Sequence, residues 1–223
     1  MSSTPISVWQ LTPQSISAQE KARILDIMLT ACRGDLQVAA LTGGRSSLEP
    51  ALFQFQLDIC LMQGVLFVAG RGNKIDGVLL AFGPGQDIFP KSAIDSASYT
   101  PSAEYVSKLS PEMQQWWSSH FRPKFAELTN LGLGSDQARK DSWYIRMLIV
   151  HPNEQRRGIG SKLIETIVQK ANSAKKKACL EVHTDTLVRI FTKYNFRVRA
   201  TKNFGSYQGG FPFFLMVREP STV

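Results

Sequence analysis

The spacing of apolar residues along the chain predicts several helices. Ser17–Glu20 has the sequence of a capping box, so we expect a helix to follow and to end near Gly34. Ser46–Glu49 repeats that pattern and predicts a second helix that ends near Met62. Between residues 158 and 171, apolar residues recur every three or four positions, which is typical of an amphipathic helix that buries one face.

Short runs rich in β-branched and aromatic residues predict strands. They lie at 65–70, 75–82, 143–150, 178–183, 196–201 and 211–217. The polar turn Arg71–Lys74 joins the first two runs as in a hairpin, and a short helix is expected at 187–194. Because helices come first and strands then alternate with helices, the pattern predicts a single α/β domain over residues 1–223 with a mixed sheet.

Residues 83–140 interrupt this pattern. Pro90 and Pro101 predict an irregular stretch, after which Ser110–Glu112 has the cap, the proline and the acid of a helix start. That helix should end near Gly132. Its aromatic residues are Trp116, Trp117, Phe121 and Phe125. Because these side chains bury large apolar areas when ordered, we expect a folded insertion rather than a disordered one.

Charge is divided unevenly along the 223 residues, whose formal net charge is +8. Residues 1–138 hold ten Lys and Arg against twelve Asp and Glu, whereas residues 139–223 hold sixteen against six. A concentrated positive field attracts a polyanion, which is a nucleic acid, a membrane surface or a phosphorylated small molecule. The alternative is a solvated basic face without a partner.

Composition excludes several classes of protein. No apolar run reaches the roughly 18 residues that a membrane span requires, and the polar N-terminus does not resemble a secretory signal. Three scattered cysteines, Cys32, Cys60 and Cys179, indicate neither a disulfide framework nor a metal or redox pair. We therefore expect an intracellular protein without a metal, located in the cytoplasm, with the nucleus as the alternative.

The most specific segment is Gln155–Gly160, which lies between the predicted strand 143–150 and the amphipathic helix. Its glycines let the backbone approach a ligand closely, and the first amides of the helix have no partner within it. The helix dipole favours an anion there, and Arg156 and Arg157 add positive charge. The segment is suited to a pyrophosphate, but it lacks the lysine of a P-loop and the third glycine of a Rossmann fingerprint.

This arrangement resembles the acetyl-CoA signature of the GNAT N-acetyltransferase superfamily. Val150-His-Pro152 ends the strand, and Gln155–Gly160 matches the signature at each fixed position. A strand at 179–183, a short helix and then Asn195-Phe196 follow in the family's order; the C-terminal half is more distantly similar to puromycin-type N-acetyltransferases. The resemblance implies a mixed central sheet that is splayed at the acetyl-CoA site and flanked by helices, with a helical insertion between the third and fourth strands.

The resemblance also implies how acetyl-CoA is bound. The backbone amides expected to hold its pyrophosphate are those of Gln155, Arg156, Arg157, Gly158, Ile159, Gly160 and Ser161. Backbone groups expected to bind the pantetheine arm and polarise the thioester are those of Leu148, Ile149 and Val150. A neutral primary amine then attacks the thioester directly in a ternary complex, without a metal or a covalent enzyme intermediate.

Two residues are candidates for the base that such an amine requires. Glu181 and His183 alternate along one face of the strand at 178–183, so both point toward the same side of the sheet. The alternative is that they are polar strand residues hydrogen-bonded within the fold. His151 lies beside the pyrophosphate loop and is better explained as a loop residue.

The expected general acid departs from the family pattern. The family's tyrosine lies five residues before the phenylalanine that matches Phe196, and that position is Phe191 here. Tyr194 is the nearest substitute, and Tyr144 and Tyr207 are others. The open alternatives are another tyrosine, departure of the thiolate with help from solvent, or loss of catalysis.

The resemblance places the ends of the 83–140 insertion near the acceptor side, so we expect a helical cap that favours a small amine. A dimer contact or a cover for the outer face of the sheet are the alternatives. The competing functions are a protein or peptide N-acetyltransferase and a non-catalytic module that binds acetyl-CoA. Neither a nucleic acid nor a membrane is an expected partner, and the chain is expected to be a monomer or a homodimer.

Overall fold

The computed structural model describes residues 4–86 and 101–221. The strands are β1 (Ile6–Leu11), β2 (Val65–Arg71), β3 (Gly77–Phe82), β4 (Trp143–Val150), β5 (Ala178–Val182), β6 (Arg197–Phe204) and β7 (Phe211–Arg218). The α-helices are α1 (Ala18–Ala31), α2 (Leu36–Thr42), α3 (Glu49–Gln63), α4 (Pro101–Ser107), α5 (Pro111–Trp116), α6 (Arg122–Leu133), α7 (Asp136–Lys140), α8 (Ile159–Ser173) and α9 (Asp185–Thr192). A π-helical turn, Trp117–Phe121, connects α5 to α6.

The seven strands form one mixed sheet in the order β1-β2-β3-β4-β5-β7-β6. Every neighbouring pair is antiparallel except β4 and β5, which are parallel and are joined through α8. A parallel pair needs such a crossover connection, because a tight turn joins only antiparallel neighbours. The expected α/β fold with its mixed sheet and flanking helices is therefore confirmed.

β4 and β5 separate soon after they begin to pair. They share register only over Trp143–Ile145 and Ala178–Leu180. On its other side, β4 pairs with β3 along its length, but a bulge leaves Arg146 as the extra residue between Ile145 and Met147. The sheet is therefore splayed at its centre, as the family resemblance implied.

Two hydrophobic clusters cover the two faces of the sheet. α8 buries its apolar stripe on one face, where Leu163 and Ile167 are fully buried. The other face carries α1, α2, α3 and the helices of the insertion. Because the strands of the centre are covered on both sides, they are almost continuously apolar rather than alternating.

The helix starts were predicted with mixed success. The Ser17–Glu20 capping box is confirmed, because the Ser17 hydroxyl and the Glu20 carboxylate each bond the other's backbone amide. The second box is wrong: Ser46 lies in a 3-10 turn, and α3 begins after Leu48 without a side-chain cap. β1 and α2 were not predicted.

The insertion is helical in its described part, residues 83–86 and 101–140. The irregular stretch expected after Pro101 is wrong, because α4 begins there; the stretch around Pro90 lies outside the described residues. The aromatic helices pack on the sheet face formed by β6 and β7, where Phe121 contacts Phe204 and Phe125 contacts Phe213. The insertion therefore covers this face of the sheet, which was one of the alternatives. Its role as a cap over the acceptor site stays a prediction.

None of the helices in the described ranges combines the length and the apolar character that crossing a membrane requires.

The insertion is joined to α2 through one backbone carbonyl. The Leu41 oxygen accepts hydrogen bonds from the Tyr105 hydroxyl at 2.9 Å and from the Trp117 indole at 3.1 Å. All three residues are buried, so these bonds fix the end of α2 against the insertion.

We expect Tyr105→Phe to lower the free energy of unfolding by about 1 kcal/mol, because one buried hydrogen bond is lost while the ring is kept. The shift of the urea midpoint measures this loss. Tyr207→Phe is the matched control, since Tyr207 is 71% exposed and should tolerate the change. Equal midpoints for the two variants would contradict the role given to the Tyr105 bond.

Candidate functional site

The loop that precedes α8 has a backbone suited to holding an anion. Arg156 and Gly158 adopt left-handed conformations, with φ of 63° and 89°. The loop is tied to its surroundings because the Gln155 side-chain amide donates to the Val150 carbonyl and Arg71 donates to the Arg157 carbonyl. The backbone amide of Gln155, which was expected to hold the pyrophosphate, donates to the Pro152 carbonyl instead. α8 has no side-chain cap at its start. Its first amides are therefore available to a ligand.

Gly160 lies in the first turn of α8 with free space beside it. A Cβ atom there would meet only Val150 and Leu148, at 3.6 Å and 3.8 Å, which are ordinary contacts. Packing within the chain therefore does not require a glycine at this position. A ligand that approaches the backbone closely does explain it.

A cavity of about 270 Å³ lies where β4 and β5 separate. It is bounded by α1, α2 and α3 on one side and by the two strands on the other. Its polar and aromatic lining residues include Asp35, Gln56, Arg146, Gln155, Glu181, His183, Phe191 and Phe213. The predicted pyrophosphate loop and the predicted base residues thus meet at one cavity through Gln155, Glu181 and His183.

Glu181 has one carboxylate oxygen bound and one free. Oε2 accepts a 2.6 Å hydrogen bond from the Tyr144 hydroxyl, whereas Oε1 is buried and has no partner. Burial raises the pKa of Glu181, although the Tyr144 hydrogen bond and the positive charges of Arg139 and Arg146 oppose that shift. A buried, unpaired oxygen in a cavity is what a group that takes a proton from a ligand requires.

His183 is held by a residue from a distant part of the chain. Its Nε2 lies 2.7 Å from Oδ2 of Asp35, which also caps α2 by accepting from the Val38 amide. Burial opposes ionisation of Asp35, but the hydrogen bond and charge of His183 and the nearby amides lower its pKa overall. Asp35 is therefore an anion that fixes the His183 ring at the cavity wall.

One residue of the insertion packs against Tyr144, the hydrogen-bond partner of Glu181. Arg139, on α7, is buried and lies over the ring of Tyr144, 5.8 Å from its centroid. Burial raises the pKa of Tyr144, and the neighbouring Glu181 carboxylate raises it further. Tyr144 therefore keeps its proton and donates it to the hydrogen bond with Glu181.

The tyrosines proposed as general acids do not line the cavity in the described part of the chain. Tyr194 packs beside the α8 cluster, and Tyr207 is exposed. Phe191 does line the cavity, at the position where the family resemblance expects a tyrosine. Phenylalanine has no hydroxyl group, so it cannot donate a proton to the thiolate. Tyr194 as the acid stays a prediction that this geometry does not favour.

The other predicted site residues lie on β4 and in the loop that follows it, and their roles stay predictions. Leu148, Ile149 and Val150 lie on the part of β4 that β5 does not pair, and they line the cavity. His151 belongs to the loop and accepts a hydrogen bond from the Asn153 amide. No group of three or more potential metal ligands lies together within residues 4–86 and 101–221.

Asp35, Gln56 and Arg146 were missed from the sequence. Gln56 and Arg146 could have been noticed as polar residues inside apolar stretches, α3 and β4. Asp35 gives only the ordinary signal of a helix cap, and nothing local to it indicates a histidine 148 residues away.

We expect Glu181→Gln to make the protein more stable at neutral pH. The folded carboxyl has a raised pKa, so folding loses stability as the pH rises from its ordinary value, about 4.3, through the folded value. Glutamine does not ionise, so this loss of stability is absent, and its side-chain oxygen can still accept the hydrogen bond from the Tyr144 hydroxyl. Urea midpoints between pH 4 and pH 8 should show an advantage that disappears at the acidic end. Glu165→Gln, at an exposed ion pair, is the control. An advantage that is constant with pH would contradict the raised pKa.

Comparison with known proteins identifies the family. The family model described as Acetyltransferase (GNAT) domain matches residues 108–219, half of the chain. A Corynebacterium glutamicum structure described as histone acetyltransferase HPA2 and related acetyltransferase aligns at 16% identity over 98% of both chains, with a TM-score of 0.61. Aedes aegypti arylalkylamine N-acetyltransferase 2 aligns at 17% identity over 97% of this chain and 99% of that chain, with a TM-score of 0.60.

These low identities show a shared fold rather than a shared substrate. No curated protein sequence matches the chain. The family match covers the splayed strands, the loop before α8 and the β5 residues that line the cavity. The chain therefore belongs to the GNAT acetyltransferase family and is an acyltransferase.

Proposed function

We propose that this enzyme transfers the acetyl group of acetyl-CoA to the primary amine of a small molecule. The observation that carries the proposal is the unpaired, buried Oε1 of Glu181. It lies in the cavity at the point where β4 leaves β5. There a base can meet both the donor and the acceptor.

The loop before α8 supplies the donor site. The first amides of α8 bind the pyrophosphate of acetyl-CoA, and Gly160 leaves room for its approach. Backbone groups of Leu148, Ile149 and Val150 have no β5 partner, and of these the Val150 carbonyl accepts from the Gln155 side chain. They bind the pantetheine arm and polarise the thioester carbonyl. Arg156 and Arg157 are exposed in the loop and account for part of the positive charge of the C-terminal half.

Glu181 prepares the acceptor for attack. An ammonium group has no lone pair, so it first transfers one proton to Glu181 Oε1. The amine nitrogen then forms a bond to the carbonyl carbon, and the bond from carbon to sulfur breaks. The departing thiolate takes the second proton of the nitrogen, which gives the amide and coenzyme A. Glu181 returns its proton to solvent.

This sequence of steps needs no tyrosine. It agrees with Phe191 at the family's tyrosine position and with the finding that Tyr194 is not among the described residues that line the cavity. The Asp35–His183 pair is the alternative base. It lines the same cavity, and Asp35 would stabilise the protonated ring.

The shape of the cavity favours a small acceptor. Residues of α1, α2, α3 and α9 line it, and its volume of about 270 Å³ suits a compact molecule rather than a folded protein surface. A protein or peptide amine is the alternative, and it would have to enter as a short extended segment. The Corynebacterium neighbour described as a histone acetyltransferase shares only the fold, so it does not favour that alternative.

We expect Gly160→Ala to weaken acetyl-CoA binding without destabilising the free protein. Alanine is favoured over glycine in helices by about 0.5–1 kcal/mol, and the added methyl meets only ordinary contacts here. Thermal unfolding with and without acetyl-CoA measures both effects. At 100 times its dissociation constant the ligand stabilises the wild type by about 2.7 kcal/mol. Gly205→Ala, where a Cβ meets nothing, is the matched control. An undiminished ligand shift in Gly160→Ala would place the pyrophosphate elsewhere.

We expect Glu181→Gln to lower kcat by about 10²–10⁴-fold, because a general base contributes that much. The KM for acetyl-CoA should change little, since glutamine keeps the bond to Tyr144. Steady-state kinetics across the pH range measure both, with Glu165→Gln as the control. Wild-type turnover in Glu181→Gln together with its loss in His183→Gln would assign the base to His183 instead.

A further inference from the structure

Arg146 is a cation without an anion. It is the extra residue of the β4 bulge, it is half-buried, and it lines the cavity. Its Nε donates a 2.8 Å hydrogen bond to Oε1 of Gln56, a buried and neutral partner on α3. Within the described residues no carboxylate lies at ion-pair distance from it. Withdrawing a charge from water costs free energy unless a partner compensates it, so an unpaired arginine here calls for an explanation.

The nearest candidate partner is engaged elsewhere. Glu181 follows Leu180, the residue of β5 that is adjacent to the bulge, and its charge interacts with that of Arg146. The two side chains nevertheless do not pair. Tyr144 holds the carboxylate and Gln56 holds the guanidinium, so each charge is fixed by a neutral partner. The cavity therefore has a free carboxylate oxygen and a free guanidinium edge on opposite sides of the gap.

The phosphates of the donor cannot supply the missing anion. The loop that binds them begins beyond Val150, which is roughly 13 Å along the strand from Arg146 at 3.3 Å per residue. Arg156 and Arg157 already lie at that loop. An anion that pairs with Arg146 must therefore belong to the acceptor.

We propose that the acceptor is an amine that also carries a carboxylate, of the amino-acid class. This inference rests on the proposed function. The guanidinium edge of Arg146 binds the carboxylate, with a further donor from the Gln56 amide. The amine then lies at Oε1 of Glu181, where it loses its proton. A molecule with both charges satisfies both unpaired groups at once, and arginine suits a carboxylate because its fork forms two parallel bonds.

The test compares matched acceptors with the whole 223-residue chain. Each α-amino acid of a panel is paired with the amine that decarboxylation would give, such as phenylalanine with phenethylamine. We expect the wild type to acetylate at least one amino acid with a kcat/KM at least 10-fold above that of its amine. Arg146→Met should lower that kcat/KM by about 10–100-fold, mainly through KM, since a charge-assisted pair is lost. Loss of the Arg146 charge also raises the pKa of Glu181 further and so changes kcat for both acceptors alike. The rise in KM should be confined to the amino acid, and the KM for acetyl-CoA should change little.

Several controls keep the outcomes distinct. Arg146→Met removes a charge but also the donor to the buried Oε1 of Gln56, so its thermal unfolding midpoint is measured to check that it folds. Arg146→Lys should retain part of the preference because it keeps the charge without the fork. Arg199→Met, at an exposed site on β6, should change nothing.

Equal use of amino acids and amines, or an equal loss for both in Arg146→Met, overturns the carboxylate site while the proposed function stands. Absence of transfer to any amino acid also overturns it, and plain amines then show whether the proposed function survives. Absence of transfer to both classes overturns both proposals, and thermal shifts with acetyl-CoA then show whether the donor site remains.

Discussion

β4 and β5 pair over three residues and then separate, and the arrangement of the site depends on that separation. Continued pairing would use the backbone groups of Leu148, Ile149 and Val150 within the sheet and would close the cavity. The bulge at Arg146 and the helix crossover through α8 both lie next to the gap. Since the sheet is covered on both faces, the gap is a recess between packed helices rather than a flat surface.

Enclosure determines the electrostatics of the site. In water Glu181 and Arg146 would be ordinary charges, but beside the gap both side chains are partly withdrawn from solvent, and Oε1 of Glu181 is buried without a partner. Neutral partners, Tyr144 and Gln56, hold the two side chains apart. Such an arrangement lowers the stability of the free protein and is retained where a ligand completes it. The insertion also contributes to the surroundings of Glu181, because Arg139 of α7 lies over the ring of Tyr144.

The sequence predicted those parts of the molecule whose signals are local. The stripe of α8, the capping box at Ser17 and the loop before α8 each occupy one short segment, and each was found. β1 was missed because it is a six-residue edge strand that pairs only with β2 and buries only Leu11, so it lacks the continuous apolar run that marks the central strands. Two contacts were missed because they join residues that are far apart in the sequence. The Asp35–His183 contact spans 148 positions and the Arg146–Gln56 bond spans 90. The sequence predicted that Glu181 lies on a strand face. It could not predict that Oε1 is unpaired, because that depends on the folded position of Tyr144, which binds only Oε2.

A crystal structure of the chain with acetyl-CoA tests the central claim most directly, namely that the gap between β4 and β5 is the donor site. We expect the pyrophosphate on the first amides of α8, the pantetheine arm along Leu148–Val150 and the thioester beside Oε1 of Glu181. A donor bound elsewhere, or bound with its thioester on the side of the sheet away from Glu181, would contradict it.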